Sequence, residues 1–220
     1  MEVRDLIGKV ICTDSLEIMR QLEDDEIDII LTDPPYGIGE TNEKNLSRGK
    51  LAKPRDYGHY EWDLKKLDKE YIDEILRVSK NQIIFGGNYY ANWLPPSSCW
   101  IVWDKDNGDN DFADCELVWT SFKSAVRKVK YRWNGMLQEN MRLKEERYHP
   151  TQKPVALIRW ILERYTKEND IVLDPFCGSG SILVACKQLN RQFIGIDREP
   201  KYCEIARWRL AQEPLRRWLR

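Results

Sequence analysis

Two stretches, IDIILTDPPYG (Ile27–Gly37) and DIVLDPFCGSG (Asp170–Gly180), constrain this chain more than any other feature. Each is a short apolar run with little polar alternation, and each stops abruptly at Asp-Pro. Runs of this kind suit strands buried on both faces, as inside a parallel sheet covered by helices. Helical patterns separate them. SLEIMRQL reads as a helix capped by Ser15, and KKLDKEYIDEILRVSK sets Leu67, Tyr71, Ile75 and Val78 on one face. HPTQKPVALIRWILERY starts a helix at Pro154 and aligns Val155, Ile158, Ile161, Leu162 and Tyr165, while EPKYCEIARWRL opens a last helix with Pro200. KVIC, QIIFGGN, CWIVWDK, CELVWTSF and RQFIGID supply further strands. The expected fold is therefore α/β, a doubly wound, mostly parallel sheet in one domain spanning residues 1–220. Such sheets bind ligands beyond the C-terminal ends of their strands, so the turns after Thr32 and Leu173 should face one cleft.

Net charge is −1, which does not advertise a nucleic-acid binder, but its distribution is uneven. Residues 123–147 hold eight Lys/Arg against three Glu, and residues 41–56 hold five basic residues against two acids. Such patches fit a protein that meets a phosphate backbone on one face, and equally fit ordinary solvated surface. The six cysteines form no C-x-x-C pair, so neither zinc spacing nor a disulfide framework is visible, and buried free thiols are expected. Two isolated histidines suggest no metal centre. No run of about 18 apolar residues is present, and MEVRDLIGKV lacks a basic end followed by an apolar core, so neither a membrane span nor a secretory signal is expected.

The turn at Asp174 resembles a dinucleotide fingerprint but lacks its third glycine, and no Lys-Ser/Thr follows as a phosphate-binding loop requires. Glycines here let a ligand approach the backbone without demanding a pyrophosphate. Asp197 ends the next strand, near the ~20-residue offset at which an acid meets ribose hydroxyls. A ligand with a ribose, no phosphate and an amino-acid tail fits the pair, and S-adenosylmethionine is such a ligand. A Gly-rich strand–helix turn followed by a chance acid is the bland reading of the same residues.

The turn at Asp33 answers a methyl donor with a place for an acceptor. A base amine is a poor nucleophile because its lone pair is delocalised into the ring. Acceptors on both of its N–H groups would draw the nitrogen towards tetrahedral geometry. Asp33 offers a carboxylate, and Pro34 a carbonyl on a residue of fixed φ that Pro35 restricts further. Tyr36 offers a ring to stack on the base. This is catalysis by positioning and oriented hydrogen bonds, without a covalent intermediate.

DPPY followed by DPFCGSG resembles the S-adenosylmethionine-dependent DNA amino-methyltransferases, which act on adenine N6 or cytosine N4. The catalytic turn precedes the cofactor turn, as in the circularly permuted β-type group, so the resemblance implies a permuted Rossmann-like methyltransferase fold. It implies Asp33, Pro34, Pro35 and Tyr36 as the catalytic clamp. It also implies a cofactor site built from Asp14, Asp174, Phe176, Gly178, Gly180 and Asp197, with His149, Thr151 and Lys153 cradling the methionine end. Residues 123–148 sit where this group keeps a target-recognition insertion, here a short one. Residues 37–63 are expected to form a mobile loop on the DNA side. Arg48, Lys50, Lys53, Arg127, Lys128, Lys130 and Arg132 are the candidate DNA contacts. Asp33 leans the reading towards adenine N6, since cytosine-N4 members more often begin the motif with Ser.

DNA is the expected partner, in the cytoplasm and associated with the nucleoid, and the resemblance leaves open a homodimer and a cognate restriction nuclease on a separate chain. Cytosine-C5 methylation is set aside because it needs a Pro-Cys nucleophile and no Pro here precedes Cys. RNA and protein-amine methyltransferases usually keep the cofactor turn first. A non-catalytic DNA- or cofactor-binding subunit is the competing class. Cys177 reads as a small core residue, and the tryptophans as core and groove walls, with Trp62 and Trp133 the best candidates for stacking platforms.

Overall fold

The computed structural model describes residues 2–37, 66–108, 113–134, 137–149 and 151–212. Strands β1 (Val10–Cys12), β2 (Ile27–Thr32), β3 (Ser79–Phe85), β4 (Trp100–Asp104), β5 (Cys115–Thr120) and β6 (Arg127–Lys130) precede a small hairpin, β7 (Trp133–Asn134) and β8 (Leu137–Gln138). Strands β9 (Ile171–Asp174) and β10 (Gln192–Asp197) follow. The helices are α1 (Ser15–Met19), α2 (Lys69–Val78), α3 (Val155–Tyr165), α4 (Ser181–Gln188) and α5 (Pro200–Ala211).

One sheet takes the order β1-β10-β9-β2-β3-β5-β4-β6, with β7 and β8 apart as their own hairpin. Every pairing from β1 through β3 is parallel, and β5 alone runs against its neighbours. The expected doubly wound, mostly parallel sheet is what forms. From β9 the chain proceeds to β10 on one side, and from β2 to β3 on the other, so the winding reverses between β2 and β9. Ile30 lies opposite Leu173, and the two Asp-Pro turns therefore leave the sheet side by side at this switch point.

Two-sided burial explains the unbroken apolar strands. Ile30, Ile84, Leu173, Ile194 and Ile196 pack beneath α1 and α2 with Met19, Ile72 and Ile75. Their neighbours Ile29, Leu31, Ile83, Phe85 and Val172 pack on the opposite face against Leu157, Ile158, Ile161 and Leu162 of α3 and Ile182 and Ala185 of α4. Burying each such side chain contributes about 1.5–3 kcal/mol. A third cluster joins α4 to α5 through Leu183, Cys203, Ala206 and Leu210.

Three local expectations change. Asp14, rather than Ser15, caps α1, because its carboxylate accepts the Leu16 amide at 2.9 Å while Ser15 is buried. Leu67 precedes α2, and Ile72 takes the buried position with Ile75 and Val78, leaving Tyr71 turned towards Asp14. Trp133 is 8 % exposed and its indole donates to the Gln152 carbonyl at 3.0 Å, so it is a wall of the fold rather than a stacking platform. Cys177, Cys99, Cys186 and Cys203 are buried free thiols, whereas Cys12 and Cys115 are exposed. Among the described residues no helix is long and apolar enough to cross a membrane.

Candidate active site

The turns after β2 and β9 open into one cleft of about 440 Å³, within the range of sites that take ligands of drug or cofactor size. Asp33, Pro34, Pro35 and Tyr36 line it together with Asp14, His149, Thr151, Lys153, Asp174, Phe176, Gly178 and Asp197. The fold thus brings the catalytic candidates and nearly all the cofactor candidates together. Gly180, with φ +79°, caps α4 just behind them, and a Cβ there would stand 2.9 Å from that of Ala206, so the turn and α5 need the glycine.

The clamp is braced on three sides. Asp33 Oδ2 accepts the Lys153 ammonium at 2.6 Å, and Oδ1 accepts the Tyr36 hydroxyl. The Tyr90 hydroxyl donates to the Pro35 carbonyl. Tyr89 stacks on Tyr36 with ring centroids 4.7 Å apart and planes inclined by 16°. Gly86 sits in the left-handed region and lies against the edge of Tyr36, where a Cβ would come within 2.3 Å of the ring. Burial pushes the Asp33 carboxyl above the usual range, with Lys153 opposing that shift and Glu116 adding to it. Lys153 lies well inside the protein, which disfavours its charge, yet Asp33 and Glu116 outweigh this and hold its pKa above the ordinary lysine value. The resemblance grouped Lys153 with the methionine end of the cofactor; in this cleft its ammonium reaches the Asp33 carboxylate.

Asp174 ties the two turns together. Its Oδ1 accepts the Thr32 hydroxyl at 2.8 Å and the Phe176 amide at 3.2 Å. Burial, only partly offset by these bonds, pushes its carboxyl up to about 8. Asp197 accepts the Gly178 and Glu199 amides, one on each oxygen, both at 2.8 Å. Burial raises its pKa and the two amides work against that rise. Asp14 accepts the Tyr71 hydroxyl at 2.7 Å besides capping α1, and the Tyr71 ring leans on Phe176 at 5.8 Å. These three side chains form one wall.

His149 faces them from the other side. Its Nδ1 lies 3.3 Å from the Thr151 amide and 3.1 Å from the Thr151 hydroxyl, and its ring meets Tyr202 edge-on at 4.4 Å. Burial, with the nearby Lys153 charge, depresses the imidazole to about 3. A neutral ring accepting at Nδ1 carries its proton on Nε2. Gln152, unremarked in the sequence, bridges the preceding segment to the cofactor turn, accepting from the Tyr148 amide and the Ser179 hydroxyl.

The candidate DNA contacts divide. Arg48, Lys50 and Lys53 lie outside the described residues, as does the expected loop over 37–63 apart from Gly37. Arg127, Lys128 and Lys130 form the edge strand β6, with Arg132 just beyond. Lys128 pairs with Asp104 and Lys130 with Asp106, both at 2.8 Å, and Arg132 also pairs with Asp106. Sequence reading missed Glu116, Lys105, Tyr71, Tyr89 and Tyr90. Glu116 carried a faint signal, as an acid inside the apolar strand CELVWT.

Comparison with known proteins agrees with this geometry. The profile of the N6/N4 DNA methylase family matches residues 88–207. The chain is 31% identical to the type II methyltransferase M.HpaI of Haemophilus parainfluenzae, over 93% of this chain and 74% of that one. It is 29% identical to M2.DpnII of Streptococcus pneumoniae, over 91% and 88% of the two chains. The structure of M1.HpyAVI in complex with SAM superposes with a TM-score of 0.57 at 25% identity, covering 91% of this chain and 98% of that one. The cytosine-N4-specific PvuII DNA methyltransferase shares the fold at 16% identity, with a TM-score of 0.58 over 95% and 92%. Cleft, clamp and these likenesses together place the chain in the N6/N4 family of S-adenosylmethionine-dependent DNA amino-methyltransferases.

Proposed function

We propose that this protein is a site-specific DNA methyltransferase that methylates the exocyclic N6 amine of adenine, taken out of the duplex for the reaction. The observation that carries the reading is the Asp33 carboxylate, held 2.6 Å from a buried lysine and lining a cleft shared with the Gly178 turn. The residues present fit S-adenosylmethionine. Asp197 stands at the end of β10 for ribose hydroxyls, and Asp14, Tyr71 and Phe176 make a polar-edged aromatic wall for an adenine ring. Neutral His149 packs near Gly178, where a Cβ would come 3.6 Å from the imidazole. When bound, the cofactor supplies an electrophilic methyl group on a sulfonium.

The chain's own residues would do the rest by orientation. Asp33 and the Pro34 carbonyl accept the two N–H groups of the amine and aim its lone pair. Tyr36 stacks on the extruded base and offsets part of the few kcal/mol that extrusion costs. Entry of the base has to displace Tyr89 from the Tyr36 face or use the opposite one. Arg127, Lys128, Lys130 and Arg132 are proposed to follow the DNA backbone, with Lys128, Lys130 and Arg132 exchanging their acidic partners for phosphates. In that case Lys130→Ala weakens DNA binding evenly across sequences and lowers the salt slope by about one.

The lean to adenine rests on Asp as the first residue of the clamp. Cytosine N4 offers the same two N–H groups, so the base is decided by product analysis. Labelled S-adenosylmethionine is incubated with unmethylated genomic DNA and the nucleosides are separated, with Asp33→Ala alongside. N6-methyladenine from the wild type only supports the full reading. N4-methylcytosine would keep the clamp and overturn the base, and absence of any DNA product would overturn the reading.

A further inference from the structure

Resting on that functional reading, the structure adds a second carboxylate to the site. We infer that Lys153 and Glu116 are positioning residues: Lys153 keeps Asp33 an acceptor-only carboxylate at the clamp, and Glu116 fixes where the Lys153 ammonium lies. Glu116 lies on β5 two residues before Val118, which pairs antiparallel with Phe85 at the end of β3. It therefore stands past the C-terminal edge of β3, on the side of the sheet's end where Asp33 emerges. Lys153 Nζ lies between the two acids, 2.6 Å from Asp33 Oδ2 and 3.4 Å from Glu116 Oε2. Lys105 Nζ holds the other oxygen of Glu116 at 2.6 Å and lies 5.3 Å from the Trp103 ring. The four charges cancel, so Glu116 is neutralised by Lys105 and Lys153 is left to serve Asp33.

The chemistry requires this. A clamp acid that took up a proton would present an O–H to the amine and lose half its acceptor capacity. Burial drives Asp33 in that direction, and Lys153 is the cation set against it. Among the described residues, the other groups recorded against Asp33 supply no positive charge. Tyr36 donates a neutral hydroxyl to it, Tyr90 donates to the next carbonyl but one, and Asp174 is tied off through Thr32. His149, near Lys153, is held neutral. Glu116 in turn forms a 3.4 Å ion pair with Lys153 and is itself held below the ordinary glutamate range, where the two lysines overcome the effect of its burial.

The test compares Lys153→Met, Lys153→Arg and Glu116→Gln with the wild type, using single-turnover methyl transfer to DNA across pH and calorimetry for the cofactor. Lys153→Met should lower the rate at pH 7 by about 10- to 100-fold and move the acid limb of the profile upward by about one unit or more. Lys153→Arg should return the limb towards its wild-type position. Glu116→Gln, which removes a negative charge near Asp33, should move the limb the opposite way. Cofactor affinity should stay within about threefold throughout. Rate losses with an unmoved limb, or a loss confined to cofactor affinity, would overturn the inference. Infrared pH-difference spectra of the DNA-free protein separate this from the functional reading. Lys153→Met should gain a protonated-carboxyl band at neutral pH that disappears in Lys153→Met/Asp33→Asn, whatever substrate the enzyme takes. No such band would overturn the inference even if the wild type methylates DNA. A wild type that makes no methylated base, beside a Lys153→Met variant that gains the band, would sink the functional reading alone.

Discussion

The turns after β2 and β9 begin with the same dipeptide, leave the sheet from adjacent strands, and put their carboxylates to opposite uses. Asp33 has a lysine ammonium at 2.6 Å, which counters its burial. Asp174 has a hydroxyl and an amide instead, and its carboxyl is pushed up to about 8, so it holds a proton at neutral pH. On the proposed reading one is a charged acceptor facing the reaction, and the other a neutral tie that joins the two turns. Burial acts on both; what separates them is a single cation from 120 positions away along the chain. An Asp-Pro at a strand end therefore does not specify a role until its partner is in place.

The contrast can be broken most severely at Asp33. Asp33→Ala should lower kcat by about 10²–10³-fold while cofactor affinity changes by no more than a few-fold, read by single-turnover transfer and calorimetry. Comparable loss of both would mean that Asp33 belongs to the cofactor wall instead. At Asp174 the expected effect is on stability and its pH dependence. The folded carboxyl binds its proton more tightly than the unfolded one, so the stability it contributes is complete below about pH 4. That contribution is then lost as pH rises through about 8. Asp174→Asn should flatten thermal stability between those values relative to the wild type, by an amount on the order of a few kcal/mol. Unchanged slopes would show that Asp174 is already ionised at neutral pH.

Smaller effects sharpen the same comparison. Thr32→Val removes the hydroxyl that joins the turns and leaves a buried carboxyl with one donor fewer. It should cost about 1–3 kcal/mol in chemical denaturation. Gly86→Ala forces a Cβ into the Tyr36 ring at a positive φ, and should cost a similar ~1–3 kcal/mol while reducing transfer. Full activity in that variant would mean that the seat of Tyr36 is not part of the clamp.

Much of this was legible in the sequence, for physical reasons. Unbroken apolar runs ending in Asp-Pro mark strands buried on both faces, and β2, β9 and their two cores follow from them. The shared cleft followed from a general property of parallel sheets, that ligands gather at strand C-termini. What stayed hidden depends on pairing across the sheet. The direction of Lys153 and the presence of Glu116 depend on how β5 registers against β3 and where the segment before α3 returns, which no local pattern encodes. Short-range chemistry also misled where two residues competed. Ser15 and Asp14 are both good caps, and the backbone geometry chose Asp14. Trp133, beside basic residues, looked like a DNA platform until the Gln152 carbonyl claimed its indole.

The most direct measurement is a carbon-13 titration of the aspartate side-chain carboxyls in the DNA-free protein, with Asp33→Asn and Asp174→Asn identifying the two signals. The account predicts that the Asp174 signal titrates near pH 8 while the Asp33 signal is already that of a carboxylate at neutral pH. A protonated Asp33 beside an ionised Asp174 would contradict it.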